Sequence, residues 1–197
     1  MNQIKKAAAV LNQGGILIYP TETIYAIGAK IDSEAAIEKL YKIKNRPVNQ
    51  PTSVVCSELK QVASYCFLTK AESRLAENFW PGALTICLQA KKNVPASILA
   101  PDNTLGVRIP SFPWLIKLIK AVSSPILCPS ANFRGRVAPS KLSQIDKKLT
   151  DLIDYIVDIE PEGKNPSTIV KLTESKINII REGVIKKSEI LERLKGV

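Results

Sequence analysis

The sequence predicts one α/β domain built on a mixed sheet, and three observations carry that expectation. Segments with apolar residues at helical spacing interleave along the whole chain with short apolar runs of strand type. The chain has 197 residues, the size of one domain. Apolar residues make up 45% of it, enough for a core, while 23% charged residues describe an ordinary soluble composition.

The elements follow in order. Residues 3–13 place apolar side chains at helical spacing and stop at Gly14-Gly15. Residues 16–19 (ILIY) are a short buried strand closed by Pro20. A helix over 33–44 starts at Ser33 as N-cap and presents Ala36, Ile37, Leu40, Tyr41 and Ile43 on one face, until Arg46-Pro47 ends it. Residues 52–56 read as a strand, 58–65 and 69–79 as helices (the second capped by Thr69), and 83–89 and 104–110 as strands. An amphipathic helix covers 114–122, a short strand 125–129, and a helical segment 141–149. Strands follow at 155–159, 167–172 and 176–185, the last ending at a glycine turn. The organisation expected is one domain over 1–185 with a short C-terminal helix or tail over 186–197.

Composition excludes several chemistries. Histidine is absent, so Ser-His-Asp and Cys-His catalysis and His-ligated metals are ruled out. The cysteines at 56, 66, 87 and 128 form no C-x-x-C pair, and their strand positions fit buried, reduced thiols. No metal site is signalled. The N-terminal apolar stretch Ala7–Leu11 is too short for a signal peptide, and no run reaches the roughly 18 residues of a membrane span, which places the chain in the cytoplasm. A net charge of +10 favours anionic partners such as nucleotides or nucleic acids. Aromatics are sparse and no basic stretch interleaves with them, so RNA binding is compatible but not signalled.

Several loops carry polar residues that structure alone does not require. Pro20-Thr21-Glu22-Thr23 follows a buried strand, a common ligand position in α/β sheets and equally a turn and cap segment. Lys44-Asn45-Arg46 sets two cations just past a helix, as a phosphate site or as a solvated C-terminal charge pair. Arg108 sits inside an apolar strand, where it needs an anion or an outward-facing position. Ser130-Ala131-Asn132 ends a short strand, as a nucleotide contact or an Asn-led turn. Ser167-Thr168 and Arg181-Glu182-Gly183 lie at strand ends. Neither a P-loop nor a Rossmann fingerprint is present.

Taken in series, GGILIYPTETIYAIGA (14–29), KNRP (44–47), WPGALT (80–85), LGVRIP (105–110), PSANFRG (129–135), PSTIV (166–170) and IIREG (179–183) resemble the YrdC-like family of threonylcarbamoyl-AMP synthases. The resemblance spans nearly the whole chain and implies a twisted mixed parallel/antiparallel sheet flanked by helices around a large basic cavity. The implied activity joins L-threonine, bicarbonate and ATP into threonylcarbamoyl-AMP and pyrophosphate. A transferase complex then passes the threonylcarbamoyl group to adenosine 37 of tRNA. Thr21, Arg108 and Ser167 are implied to hold threonine, and Lys44, Arg46, Ser130, Asn132 and Arg181 to face ATP, with Ser140 as a further ATP contact. Lys44 and Arg46 would act in catalysis, neutralising phosphate charge as pyrophosphate leaves, with Mg²⁺ bridging the phosphates. Pro129, Ala26, Gln50 and Arg134 stand where the family often has Thr, Gly, His and Ser. Competing readings are a double-stranded RNA or tRNA-binding or ribosome-maturation factor, and a non-catalytic paralogue or carbamoyl-adenylate relative. The paralogues lose K-x-R and S-x-N, which this chain keeps.

Overall fold

Local sequence rules account for several helix ends in the computed structural model, which describes residues 3–47, 50–173 and 176–195. Helix α1 (Gln3–Asn12) buries Ala7, Ala8 and Leu11. It closes in a Schellman turn: Gly14, left-handed at φ 77°, donates its N–H to Leu11 O, and Gly15 donates to Val10 O. After the short strand β1 (Leu17–Pro20), the chain turns back as β2 (Tyr25–Gly28), a strand the sequence reading does not contain. Helix α2 (Glu34–Ile43) buries the expected face, although the Ser33 side chain makes no capping bond. Strand β3 (Ser53–Val55) and helix α3 (Leu59–Tyr65) lead to α4 (Lys70–Phe79), where Thr69 and Glu72 form a full capping box.

Then come β4 (Leu84–Gln89), β5 (Thr104–Arg108), α5 (Pro113–Val122) and β6 (Ile126–Leu127). The segment expected to be helical over 141–149 divides into a 3-10 turn, Leu142–Gln144, and the short α6 (Lys147–Thr150). Asp146 causes the break, because its side chain accepts the Lys148 N–H and starts a new helix. Strands β7 (Tyr155–Ile156), β8 (Thr168–Thr173) and β9 (Lys176–Arg181) precede the last helix, α7 (Lys187–Lys195). Strand β9 stops short of 185 because the Thr168 hydroxyl accepts the N–H groups of Gly183 and Ile185 and donates to Ile185 O, folding 182–185 back over β8. Helix α7 is fastened to the body: Ile190 is fully buried in the core, and Arg193 donates to Asn78 O and lies over the Phe79 ring. Residues 196 and 197 of the expected C-terminal helix lie outside the described residues.

The strands form two mixed sheets. The smaller has the order β2-β1-β7, antiparallel then parallel. The larger has the order β6-β3-β5-β4-β8-β9, with parallel β3/β5 and β4/β8 pairs and the other pairs antiparallel. The sheets meet where β2 runs past the β6 segment: Leu127 N donates to Ala29 O, Ile27 N to Pro129 O, and Ala131 N to Tyr25 O. This approach requires Gly28, since a Cβ there would lie 2.5 Å from Leu127 O and 2.6 Å from the Tyr19 ring.

Alternation along the strands of the larger sheet separates its two faces. Val54, Leu84, Ile86, Leu88, Leu105, Val107 and Val170 join the main core. Ser53, Thr85, Cys87, Thr104, Gly106, Ile169 and Lys171 point the other way.

Gly28→Ala tests the joint between the sheets. The substitution should destabilise the protein by about 1–3 kcal/mol, the usual cost of overpacking, seen as a lower urea midpoint with the slope unchanged.

Candidate active site

A hollow of about 350 Å³ lies on the second face of the larger sheet. Its floor is a row in register across the sheet, the small Ser53 beside Gly106 and Gly106 beside Cys87, with the long Lys171 next to Cys87. Gly106 keeps the floor low, since a Cβ there would already press Ser53 and Thr85 at 3.3 Å. The walls come from the turn after β1, the loop after α2, the end of β6 and the ends of β5, β8 and β9.

Six of the nine residues singled out from the sequence line this hollow: Thr21, Arg46, Arg108, Ser130, Ser167 and Arg181. Thr21 is buried, and its hydroxyl accepts the Thr23 and Ile24 N–H groups while donating to Ile24 O. It therefore shapes the turn as much as it faces the space. Ser167 shares a 2.9 Å hydrogen bond with Thr85. Arg181 lies against Ser167, donating through Nη2 and Nε to its carbonyl at 2.8 and 3.2 Å.

Arg108, at the end of β5, has the anion that its burial demands. Its Nη1 donates to Glu22 Oε1 at 2.5 Å, and both side chains are over nine-tenths buried. Burial lowers the guanidinium pKa, but Glu22 and then Cys128 raise it, and the net direction is upward. Arg181 is pulled down by burial and by Arg108.

The loop after α2 turns at Asn45, left-handed at φ 49°, and sends its two cations to different places. Arg46 reaches the hollow, donates to Pro51 O and lies 5.6 Å from the Tyr41 ring centroid. Burial first, then Arg134, lowers its pKa, and Tyr41 opposes them. Lys44 is buried behind the wall, where Nζ donates to Ser130 O and Asn132 O at 2.5 Å each. Its pKa falls to about 7 through burial and the neighbouring Arg46. Asn132 accepts the Ser130 hydroxyl at 2.6 Å and donates to Arg136 O. Ser140 lies apart from the hollow, bonded through N and Oγ to Gln144 Oε1.

Two buried polar atoms of hollow-lining residues, Arg46 Nε and Thr52 Oγ1, have no hydrogen-bond partner. Such atoms are costly until a ligand or water satisfies them. The sequence reading missed Thr52, Ser53, Thr85, Cys87, Thr104 and Lys171. Their signal was a strand face made of small and polar residues opposite a strictly apolar one. Cys87 and Cys128 also line the hollow, whereas Cys56 and Cys66 are buried; all four are free thiols. Among the described residues no group of three or more His, Cys, Asp or Glu is placed to hold a metal, and no helix is long and apolar enough to cross a membrane.

Lys44 gives a pH test. The folded protein gives up this proton near pH 7, while the unfolded chain keeps it to about 10.5. The unfolded state therefore binds more protons between those values, and stability owed to this site rises with pH. Lys44→Met removes the dependence, so Tm(variant) minus Tm(wild type) should become steadily more negative from pH 6 to pH 9 in calorimetric scans. A constant difference would contradict the buried position of the ammonium group.

Known proteins share this architecture. The putative threonylcarbamoyl-AMP synthase of Methanocaldococcus jannaschii is 37% identical over 89% of this chain and 83% of its own length. The structure of Pyrococcus abyssi Sua5 complexed with L-threonine superposes with a TM-score of 0.91 at 30% identity, covering 98% of this chain but 57% of that one. Escherichia coli YciO, at TM-score 0.87 and 30% identity, is covered over 92% of its length by 95% of this chain. The family model Sua5_yciO_yrdC, described as telomere recombination, matches residues 9–183, and the chain belongs to that Sua5/YciO/YrdC family.

Proposed function

We propose that the chain is an L-threonylcarbamoyladenylate synthase, a cytoplasmic nucleotidyltransferase supplying the threonylcarbamoyl group for adenosine 37 of tRNA. One observation carries the reading: Arg46, Arg108 and Arg181 converge on one hollow, where buried Arg46 Nε and Thr52 Oγ1 still await partners. The name of the Methanocaldococcus relative and the threonine-bound Sua5 structure support the same substrate class.

In this reading Arg108 and Ser167, beside the Thr21 turn, receive the threonine carboxylate. Bicarbonate carbon bonds to the threonine nitrogen with loss of water, giving an N-carboxylate. An oxygen of that anion attacks the α-phosphorus of ATP, the α–β phosphoanhydride bond breaks, and pyrophosphate leaves. Two anions meet only if fixed cations replace the water that would otherwise screen them. Arg46 and Ser130 serve the nucleotide, and Arg181 stands between the two ligands. Lys44 and Asn132 hold the Ser130 loop in shape, while Ser140, bonded to Gln144, is given no part. Among the described residues no cluster of carboxylates or thiols is placed to cage a resident metal, and in this reading Mg²⁺ arrives as part of the MgATP substrate, with no step assigned to it. The product passes to a threonylcarbamoyl transferase complex.

The test is pyrophosphate release that needs both threonine and bicarbonate, with labelled bicarbonate entering an adenylate. Arg46→Ala should lower turnover by about 10²-fold, the scale for one lost electrostatic donor, with Tm little changed. Arg108→Ala should act mainly on the KM for threonine. Turnover without threonine, or full activity in Arg46→Ala, would refute the assignment.

A further inference from the structure

Glu22 does not line the hollow, yet its carboxylate sits directly behind Arg108, which does. It therefore reaches the ligand space only through that guanidinium. Glu22 Oε1 takes Arg108 Nη1, while Nη2 rests 3.5 Å from Cys128 Sγ, a weak acceptor. Glu22 Oε2 is buried without a partner. A carboxylate kept under cover with one oxygen unsatisfied is costly, and a well-packed neutral residue would serve packing better.

The charge count gives the carboxylate a role. Arg108 and Arg181 are close enough for Arg108 to depress the Arg181 pKa, and Arg181 is held by the Ser167 carbonyl and hydroxyl rather than by an acid. The Arg108–Arg181 end of the wall, with Arg46 set apart on the loop after α2, carries a net single positive charge with Glu22, which matches one carboxylate. Without Glu22 it carries two, which matches a phosphate dianion.

The geometry points to Glu22 as a positioning and specificity residue: it aims Arg108 into the hollow and cancels its charge, so that this end accepts a monoanionic α-carboxylate and turns away phosphate. The inference rests on the threonine reading and adds to it the residue that keeps substrate phosphates out of the amino-acid end.

The experiment compares wild type, Glu22→Gln and Glu22→Asp in the threonine- and bicarbonate-dependent assay, with inorganic phosphate as the probe anion. In Glu22→Gln the KM for threonine should rise about tenfold, as expected for losing a charge-assisted bond, while the KM for ATP stays within about threefold. Phosphate should become competitive with threonine, with a Ki about tenfold below that for wild type. Glu22→Asp restores the charge but pulls it back by one methylene, so phosphate exclusion should return while the threonine KM stays raised. A purely structural role would lower Tm and raise both KM values together, with no gain in phosphate inhibition, and would overturn the inference. Should Glu22→Gln fail to fold, Glu22→Asp decides, because an unchanged threonine KM there overturns it as well. Wild type lacking threonine-dependent turnover defeats the functional reading itself, whereas an active wild type with an indifferent Glu22→Gln defeats only this inference.

Discussion

The two-fold alternation of the larger sheet governs everything built on it. Each strand must give one face to the core, and Val54, Leu84, Ile86, Leu105, Val107 and Val170 do so. The other face is then free to be small, and Ser53, Thr85, Cys87 and Gly106 make it so. The hollow is the volume those side chains leave empty. Because β4 and β8 run parallel and β8 and β9 antiparallel, Thr85, Ser167 and Arg181 are carried to one end of the sheet. Antiparallel β4 and β5, pairing Ile86 with Val107, bring Arg108 to the same end. Distant loops need no further device to meet there.

Most cations at that end are held by carbonyl oxygens rather than by acids. Lys44 donates to Ser130 O and Asn132 O, Arg46 to Pro51 O, and Arg181 to Ser167 O. A carbonyl dipole fixes a cation without cancelling its charge, so the net positive potential survives for an incoming anion. Arg108 differs, as does Lys171, which pairs with Asp102; the buried Glu22 partner marks Arg108 as the guanidinium whose field has to be limited.

Much of this architecture is legible in the residues, and the illegible parts share a cause. Helices announce themselves through periodicity and through caps such as the Gly14-Gly15 turn and the Thr69–Glu72 box. Strand β2 does not, because Tyr25–Gly28 are all buried and four residues without alternation carry no period. Arg108 in an apolar strand visibly demands an anion, yet its partner lies 86 residues away, a distance only the fold can close. The K-x-R motif marks both cations equally. The left-handed Asn45 then sends Arg46 to the hollow and Lys44 behind its wall, a distinction held in backbone angles rather than residue types.

Without histidine, the chain has no side chain whose ordinary pKa lies near neutrality. Lys44 is moved there instead, by burial and by Arg46. Its ammonium joins helix α2 to the carbonyls of Ser130 and Asn132, so its charge state bears on the loop that presents the Ser130 hydroxyl. An anion seated in the hollow would favour the protonated lysine, which grips the two loop carbonyls. Proton uptake at Lys44 and occupancy of the hollow by an anion would then be linked.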